Sequence, residues 1–375
     1  MTTVRPRRLA AALALACMGA AGIAMAPAAA AAGPFIGPFN NVLTLASTVP
    51  KHGDVNPYGV AVVPVTMGRL VAGDILVSNF NNHRNLQGTG STIEEISPGG
   101  STSEFASLSP NKLPGACPGG LGLTTALVSL RSGWVIVGSL PTKDGSSATA
   151  QSGCLLVLDS SGNVVKTISG DPINGPWDMT ADDRGTSATL FVTNVLNGTV
   201  ANSPNVVNEG TVVRLVLSTP STGEPSITSE TVIGHDFAER TDPAALVVGP
   251  TGVGLAADGT LYVADSVNNR IVSIGAALTR PDAIDGTTVS TGGAINDPLG
   301  LAIAPNGDIL TTNGGDGNLV ETEPNGTQTE VKILDTTPAP PGPNGNGTLF
   351  GLAVAPAGDG VYFVDDGTNT LDLLH

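Results

Sequence analysis

Few residues in this chain carry side chains suited to chemistry, and those few recur at regular intervals. Asn79, Asn194, Asp265, Asn313 and Asp365 each close a short apolar run, and Ser139 does so in one further copy. Asp178 stands where its own repeat otherwise has glycine. Asn and Asp oxygens converging on one point suit a hard cation such as Ca²⁺, which takes six to eight oxygen ligands. The expected metal set is therefore Asp178, Asn79, Asn194, Asp265, Asn313 and Asp365, with calcium as the one cofactor in view. The competing reading is local: Asp and Asn at strand ends bond their own backbone and form turns. No Gly-x-Ser-x-Gly elbow, His-Glu-x-x-His pair or phosphate loop is present, so no catalytic residue is identified. His52, His83, His235 and His375 are scattered. Cys117 and Cys154 are expected to form a disulfide; no histidine lies near either, and their spacing fits no zinc pattern.

The elements that must position these residues follow from a repeat. Pro, any residue, Gly and an apolar-small-apolar run recur as Pro57-Tyr58-Gly59-Val60-Ala61-Val62 and Pro118-Gly119-Gly120-Leu121-Gly122-Leu123. Variants begin at Pro176, Pro250, Pro298 and Leu349, making six copies. Each is followed by a turn and a second apolar strand, and then by a hairpin signal such as Pro98-Gly99-Gly100 or Pro324-Asn325-Gly326. Four antiparallel strands per unit cannot bury both faces alone, so the units must stack around an axis. The fold class expected is all-β, a six-bladed β-propeller of four-stranded antiparallel blades. The sixth copy ends one strand short at His375, and an unassigned strand lies at 41–46. Pairing the two completes the last blade and removes an exposed edge.

The stretch Val253-Gly254-Leu255-Ala256-Ala257-Asp258-Gly259-Thr260-Leu261-Tyr262-Val263-Ala264-Asp265 resembles an NHL repeat, and Pro298 to Asn313 is a second match. NHL-like propellers are related to the SMP-30/gluconolactonase-like group. The resemblance implies a propeller and, within that group, calcium-dependent lactone hydrolysis with Asn and Asp near the axis. That group also uses a Glu from an early inner strand, whereas this chain has Asn56-Pro57-Tyr58 there. Streptogramin-lyase-like propellers rely on His and Glu near the axis, which this chain also lacks.

Composition agrees with such a fold. The 49 Gly and 28 Pro make up about a fifth of the chain and charged residues only 13%, which argues against a helical bundle. The net charge of −16 repels phosphate backbones and excludes nucleic acid as a partner. Arg5, Arg7 and Arg8, an Ala/Leu-rich run and the small residues Ala28 to Ala32 read as a secretory signal peptide over 1–32. The domain is then 33–375, with 13 basic against 32 acidic residues. The expectation is an exported monomer with no membrane span. Its leading function is a non-enzymatic scaffold that binds a protein, glycan or small ligand on its long-loop face, shaped by the insertions at 80–91, 140–152 and 195–210. The alternative is a calcium-dependent lactonase or esterase.

Overall fold

A computed structural model describes residues 1–3, 33–220 and 222–375; the leader at 4–32 lies outside the described residues. Residues 33–375 form one compact unit. An N-terminal strand, β1 (Val42–Ser47), precedes six radial blades. Blade I is β2 (Val55–Val62), β3 (Ile75–Asn81), β4 (Thr92–Ile96) and β5 (Thr102–Ser107). Blade II is β6 (Leu123–Ser129), β7 (Val135–Ser139), β8 (Cys154–Leu158) and β9 (Val164–Ile168). Blade III has five strands: β10 (Pro176–Asp183), β11 (Ser187–Asn194), β12 (Val207–Ser218), β13 (Ser226–Asp242) and the short β14 (Leu246–Val248). Blade IV is β15 (Pro250–Leu255), β16 (Leu261–Asp265), β17 (Arg270–Ile274) and β18 (Thr287–Thr291). Blade V is β19 (Pro298–Ile303), β20 (Ile309–Asn313), β21 (Asn318–Thr322) and β22 (Gln328–Ile333). Blade VI is β23 (Leu349–Val354), β24 (Val361–Asp365) and β25 (Thr370–Leu374), closed by β1 on the outside.

The expected closure is therefore present, with Val42 opposite Leu374 and Ser47 opposite Thr370. Cys117 and Cys154 are bonded, their Cα atoms 5.2 Å apart, tying the start of blade II to its third strand.

Each innermost strand shifts register near its first residues, as between Pro57 and Gly59 or Pro298 and Gly300. The glycine allows the next blade to approach. A β-carbon at Gly300 would collide with the Phe350 carbonyl, and one at Gly351 with that of Tyr58. A hydroxyl on the second strand fastens the same junction in alternate blades. Ser78 accepts from the Gly59 N–H and donates to the Thr124 carbonyl of blade II, at 3.0 and 2.8 Å. Thr312 does the same between Gly300 and Phe350. Between the blades lie buried aliphatic layers, for example Leu76, Phe105 and Leu127 between blades I and II.

Candidate functional site

The first strands start on one face of the disc, here the loop face, and end on the opposite, hairpin face. On the loop face the axis is closed by side chains. Tyr58 stacks between Phe80 and Phe350, with ring centroids 4.3 and 4.0 Å away, and Trp177 stands 6.2 Å from it. Leu246, Val247 and Val248 of β14 complete this plug with no exposed surface, and the Trp177 indole donates to the Val247 carbonyl at 3.0 Å. Asp242 shapes the loop that delivers them, its Oδ1 accepting from the backbone N–H groups of Ala244 and Ala245. The long insertions interlock above. Thr142 donates through its hydroxyl to Gln87 O and through its N–H to Gly88 O, and Gln87 donates to Pro243 O. Glu239 holds the third insertion, accepting from the Asn197 N–H and the Thr199 hydroxyl, both at 2.9 Å. The four residues Tyr58, Trp177, Leu299 and Phe350 occupy the variable position of the Pro-x-Gly pattern. Their size was the sequence signal for a closed mouth.

The expected ring of ligands does not come together. Asn79 donates to Thr48 O and Thr92 Oγ1. Asn194 accepts from the Asn174 N–H, and Asn313 accepts from the Asn296 N–H while donating to Ala294 O and Asp316. Asp265 pairs with Arg270 at 2.7 Å and accepts from Asn268. Asp365 caps the turn at Thr368, and burial with Asp335 nearby pushes its carboxyl up to about 6. Each side chain serves its own blade or the segment leading into it, as the turn reading holds. Among the described residues, no cluster of three or more His, Cys, Asp or Glu could hold a metal ion. Asn79 Oδ1 and Asp265 Oδ1 are left buried without partners, while Asn194, Asn313 and Asp365 spend an oxygen on backbone N–H groups of their own blades or lead-in segments.

Asp178 is placed differently. It lines a central channel of about 430 Å³, walled by residues 60–62, 127–131, 178–181, 253–255, 300–303 and 351–354. The wall reaches Pro64 and Arg131 in turns of the hairpin face and Asp183 at the end of β10, so the channel opens there. Each innermost strand is the edge of its sheet, so its unpaired main-chain N–H and C=O groups face the channel alongside small aliphatic side chains. The wall is consequently polar along its backbone and suited to a small oxygen-rich molecule. Asp178 is 8% exposed; its Oδ1 accepts from Met179 N–H at 2.8 Å and its Oδ2 from Val253 N–H of blade IV at 3.1 Å. Its own N–H donates to Thr193 Oγ1, which donates in turn to Thr251 O. Burial pushes the carboxyl up to about 8, against the lowering effect of the two N–H donors.

No protein-family model matches the sequence, and no curated protein matches it. Solved structures do match in fold. A gluconolactonase from Xanthomonas campestris is 12% identical with a TM-score of 0.52, over 88% of each chain. The calcium-binding protein regucalcin from Agrobacterium tumefaciens is 12% identical with a TM-score of 0.52, over 88% of this chain and 93% of that one. A luciferin-regenerating enzyme is 11% identical with a TM-score of 0.53, over 89% and 94%. The expectation of a non-enzymatic scaffold on the long-loop face is corrected by two findings. The propellers sharing this fold bear the names of a lactonase and another enzyme, and the axial mouth on the loop face is filled by the plug. In architecture this chain is a six-bladed β-propeller, a fold it shares with that gluconolactonase and with regucalcin.

Proposed function

We propose that the protein is an exported hydrolase of small lactones or esters, with Asp178 as the general base. One observation carries this reading: a carboxyl group, in place of the repeat's glycine, sits in a backbone-lined channel and titrates near 8. Such a group is matched to proton transfer near neutral pH. Water beside Asp178 gives its proton to the carboxylate as its oxygen adds to the substrate carbonyl. The tetrahedral adduct then collapses, and the same proton passes to the departing alkoxide oxygen. The printed names of two fold neighbours, a gluconolactonase and a luciferin-regenerating enzyme, agree with this choice of an enzyme. No step is assigned to calcium. Export is supported by the Arg-then-apolar leader and by the bonded Cys117–Cys154 pair, which needs an oxidising compartment.

The test is a screen of sugar lactones, alkyl lactones and aryl esters on wild type and Asp178→Asn, with calcium and with chelator. Turnover lost in Asp178→Asn, in a protein that circular dichroism shows is still folded, is the expected result. No hydrolysis of any substrate, or hydrolysis indifferent to the substitution, would overturn the reading.

A further inference from the structure

The hydroxyl bridges between blades fix a common register for all six innermost strands. Ser78, Thr193 and Thr312 each accept from an N–H of their own blade, at Gly59, Asp178 and Gly300. Each then donates to a carbonyl of the next blade, at Thr124, Thr251 and Phe350. The residue after each of those carbonyls stands level with the three N–H donors. The glycine position of the repeat is therefore held by Gly59, Thr125, Asp178, Gly252, Gly300 and Gly351. In blade II the occupant is thus Thr125, not Gly120 as the sequence repeat suggests. The strand pairing agrees: Leu123 faces Ser139 just as Pro57 faces Asn79 and Pro176 faces Asn194. Two adjacent blades, II and III, therefore carry polar side chains where the other four carry glycine.

At Gly252, Gly300 and Gly351 a β-carbon would strike the main chain of a neighbouring blade. The junctions on either side of blade III have room for a side chain at the same height, and Thr125 and Asp178 both line the central channel. Thr125 is 4% exposed, and its Oγ1 has no hydrogen-bond partner among the described residues. Valine would fill the same space without burying an unpaired hydroxyl, which is destabilising, so packing does not account for the residue. Thr124 is the contrast. Its hydroxyl is also unpaired, but it lies over Gly138 of the second strand and forms no part of the channel wall.

Asp178 turns away from Thr125, towards the Val253 N–H of blade IV, and also occupies the Met179 N–H. A hydroxyl with no base bonded to it is not an activated nucleophile, but it is a free donor. Water adding to a carbonyl beside Asp178 puts negative charge on the carbonyl oxygen, and a preorganised donor stabilises that charge.

We infer that the Thr125 hydroxyl is the oxyanion donor of the channel, bonding the substrate carbonyl oxygen while water adds to the carbonyl carbon beside Asp178. No bond at Thr125 forms or breaks. The hydroxyl keeps its proton as the carbonyl electron pair moves onto the oxygen and returns when the adduct collapses. The inference rests on the hydrolase reading and adds a second catalytic residue to its site.

The test takes the lactone or ester with the highest kcat/KM in the screen and compares wild type with Thr125→Val, Thr125→Ala, Thr125→Ser and Thr124→Val. Thr125→Val and Thr125→Ala should each lower kcat by roughly 10²-fold with KM little changed. Thr125→Ser, which restores the donor, should recover most of that rate, and Thr124→Val should keep the wild-type rate. Thr125→Val should melt no lower than wild type, because it replaces an unpaired hydroxyl with a methyl group. Its rate should still rise through about pH 8, because Asp178 keeps both N–H donors. Wild type that hydrolyses nothing overturns the hydrolase reading and this inference with it. Turnover that needs Asp178 but is indifferent to Thr125→Val and Thr125→Ala overturns the inference alone. A loss in Thr125→Ser as large as in Thr125→Val marks a packing role, and an acyl adduct on Thr125 after acid quench marks a nucleophile; either result also overturns the inference alone.

Discussion

At the scale of single residues, the chain's most informative departure is Asp178. A repeat that elsewhere needs glycine for close blade approach here accepts a carboxylate, which binds the neighbouring blade through the Val253 N–H. The pH dependence of the proposed reaction follows from the sign of its shift. Burial favours the neutral acid, so the basic form accumulates only as pH rises through about 8. Hydrolysis should therefore climb from pH 6 to 9, and Asp178→Asn should lower kcat/KM by roughly 10²–10⁴-fold. A rate profile falling over that range would assign Asp178 an acid role instead. Tyr58 is a purely structural counterpart. Clasped between Phe80 and Phe350, it should cost about 3–5 kcal/mol when replaced by Ala. Chemical denaturation should show that loss, and Tyr58→Phe, which keeps the stack, should not.

At the scale of elements, the blades were legible because two signals agree. The Pro-x-Gly repeats mark where first strands begin, and the Asn-Gly and Gly-Gly turns mark where hairpins reverse. The turns read at Pro98-Gly99-Gly100 and Pro324-Asn325-Gly326 do join paired strands, Thr92–Ile96 to Thr102–Ser107 and Asn318–Thr322 to Gln328–Ile333. The candidate site was less legible. Asn313 ends its second strand as expected and Asn79 lies two residues inside β3, yet whether an amide faces the axis or its own blade depends on side-chain direction. That direction is set by tertiary partners such as Thr48 and Asp316. The extra strand β14 carries no repeat signature and was not foreseen, although it helps seal the mouth. The disulfide was foreseen from its compartment and from the cysteines being an even pair. By closing 37 residues of sequence separation it should stabilise by about 4 kcal/mol on the chain-entropy view. Cys117→Ser/Cys154→Ser should lose stability of that order in urea melts, and a loss below about 1 kcal/mol would show that the reduced chain retains the same local structure.

At the scale of the whole molecule, acidity and burial act together. Burial, helped by neighbouring carboxylates at most of these sites, pushes Glu94 and Asp366 up to about 7, Asp178 and Glu239 to about 8, and Asp297, Asp308 and Asp365 to about 6. In the unfolded chain these groups titrate near 4. Between about pH 4 and pH 8 the folded protein therefore binds more protons than the unfolded one. Stability must then fall as pH rises through that window, fully present near pH 4 and lost progressively towards pH 8. Long-range repulsion among 32 acidic residues acts in the same direction. The molecule should accordingly melt several degrees higher at pH 5 than at pH 8.5, the reverse of a protein whose carboxylates are mostly ion-paired. Calorimetry across that range decides the matter: a melting temperature that rises with pH would mean that these carboxyls are ionised in the folded state and have found cations. Asp178→Asn should flatten the upper part of the slope, because it removes one of the two groups whose folded value lies near 8.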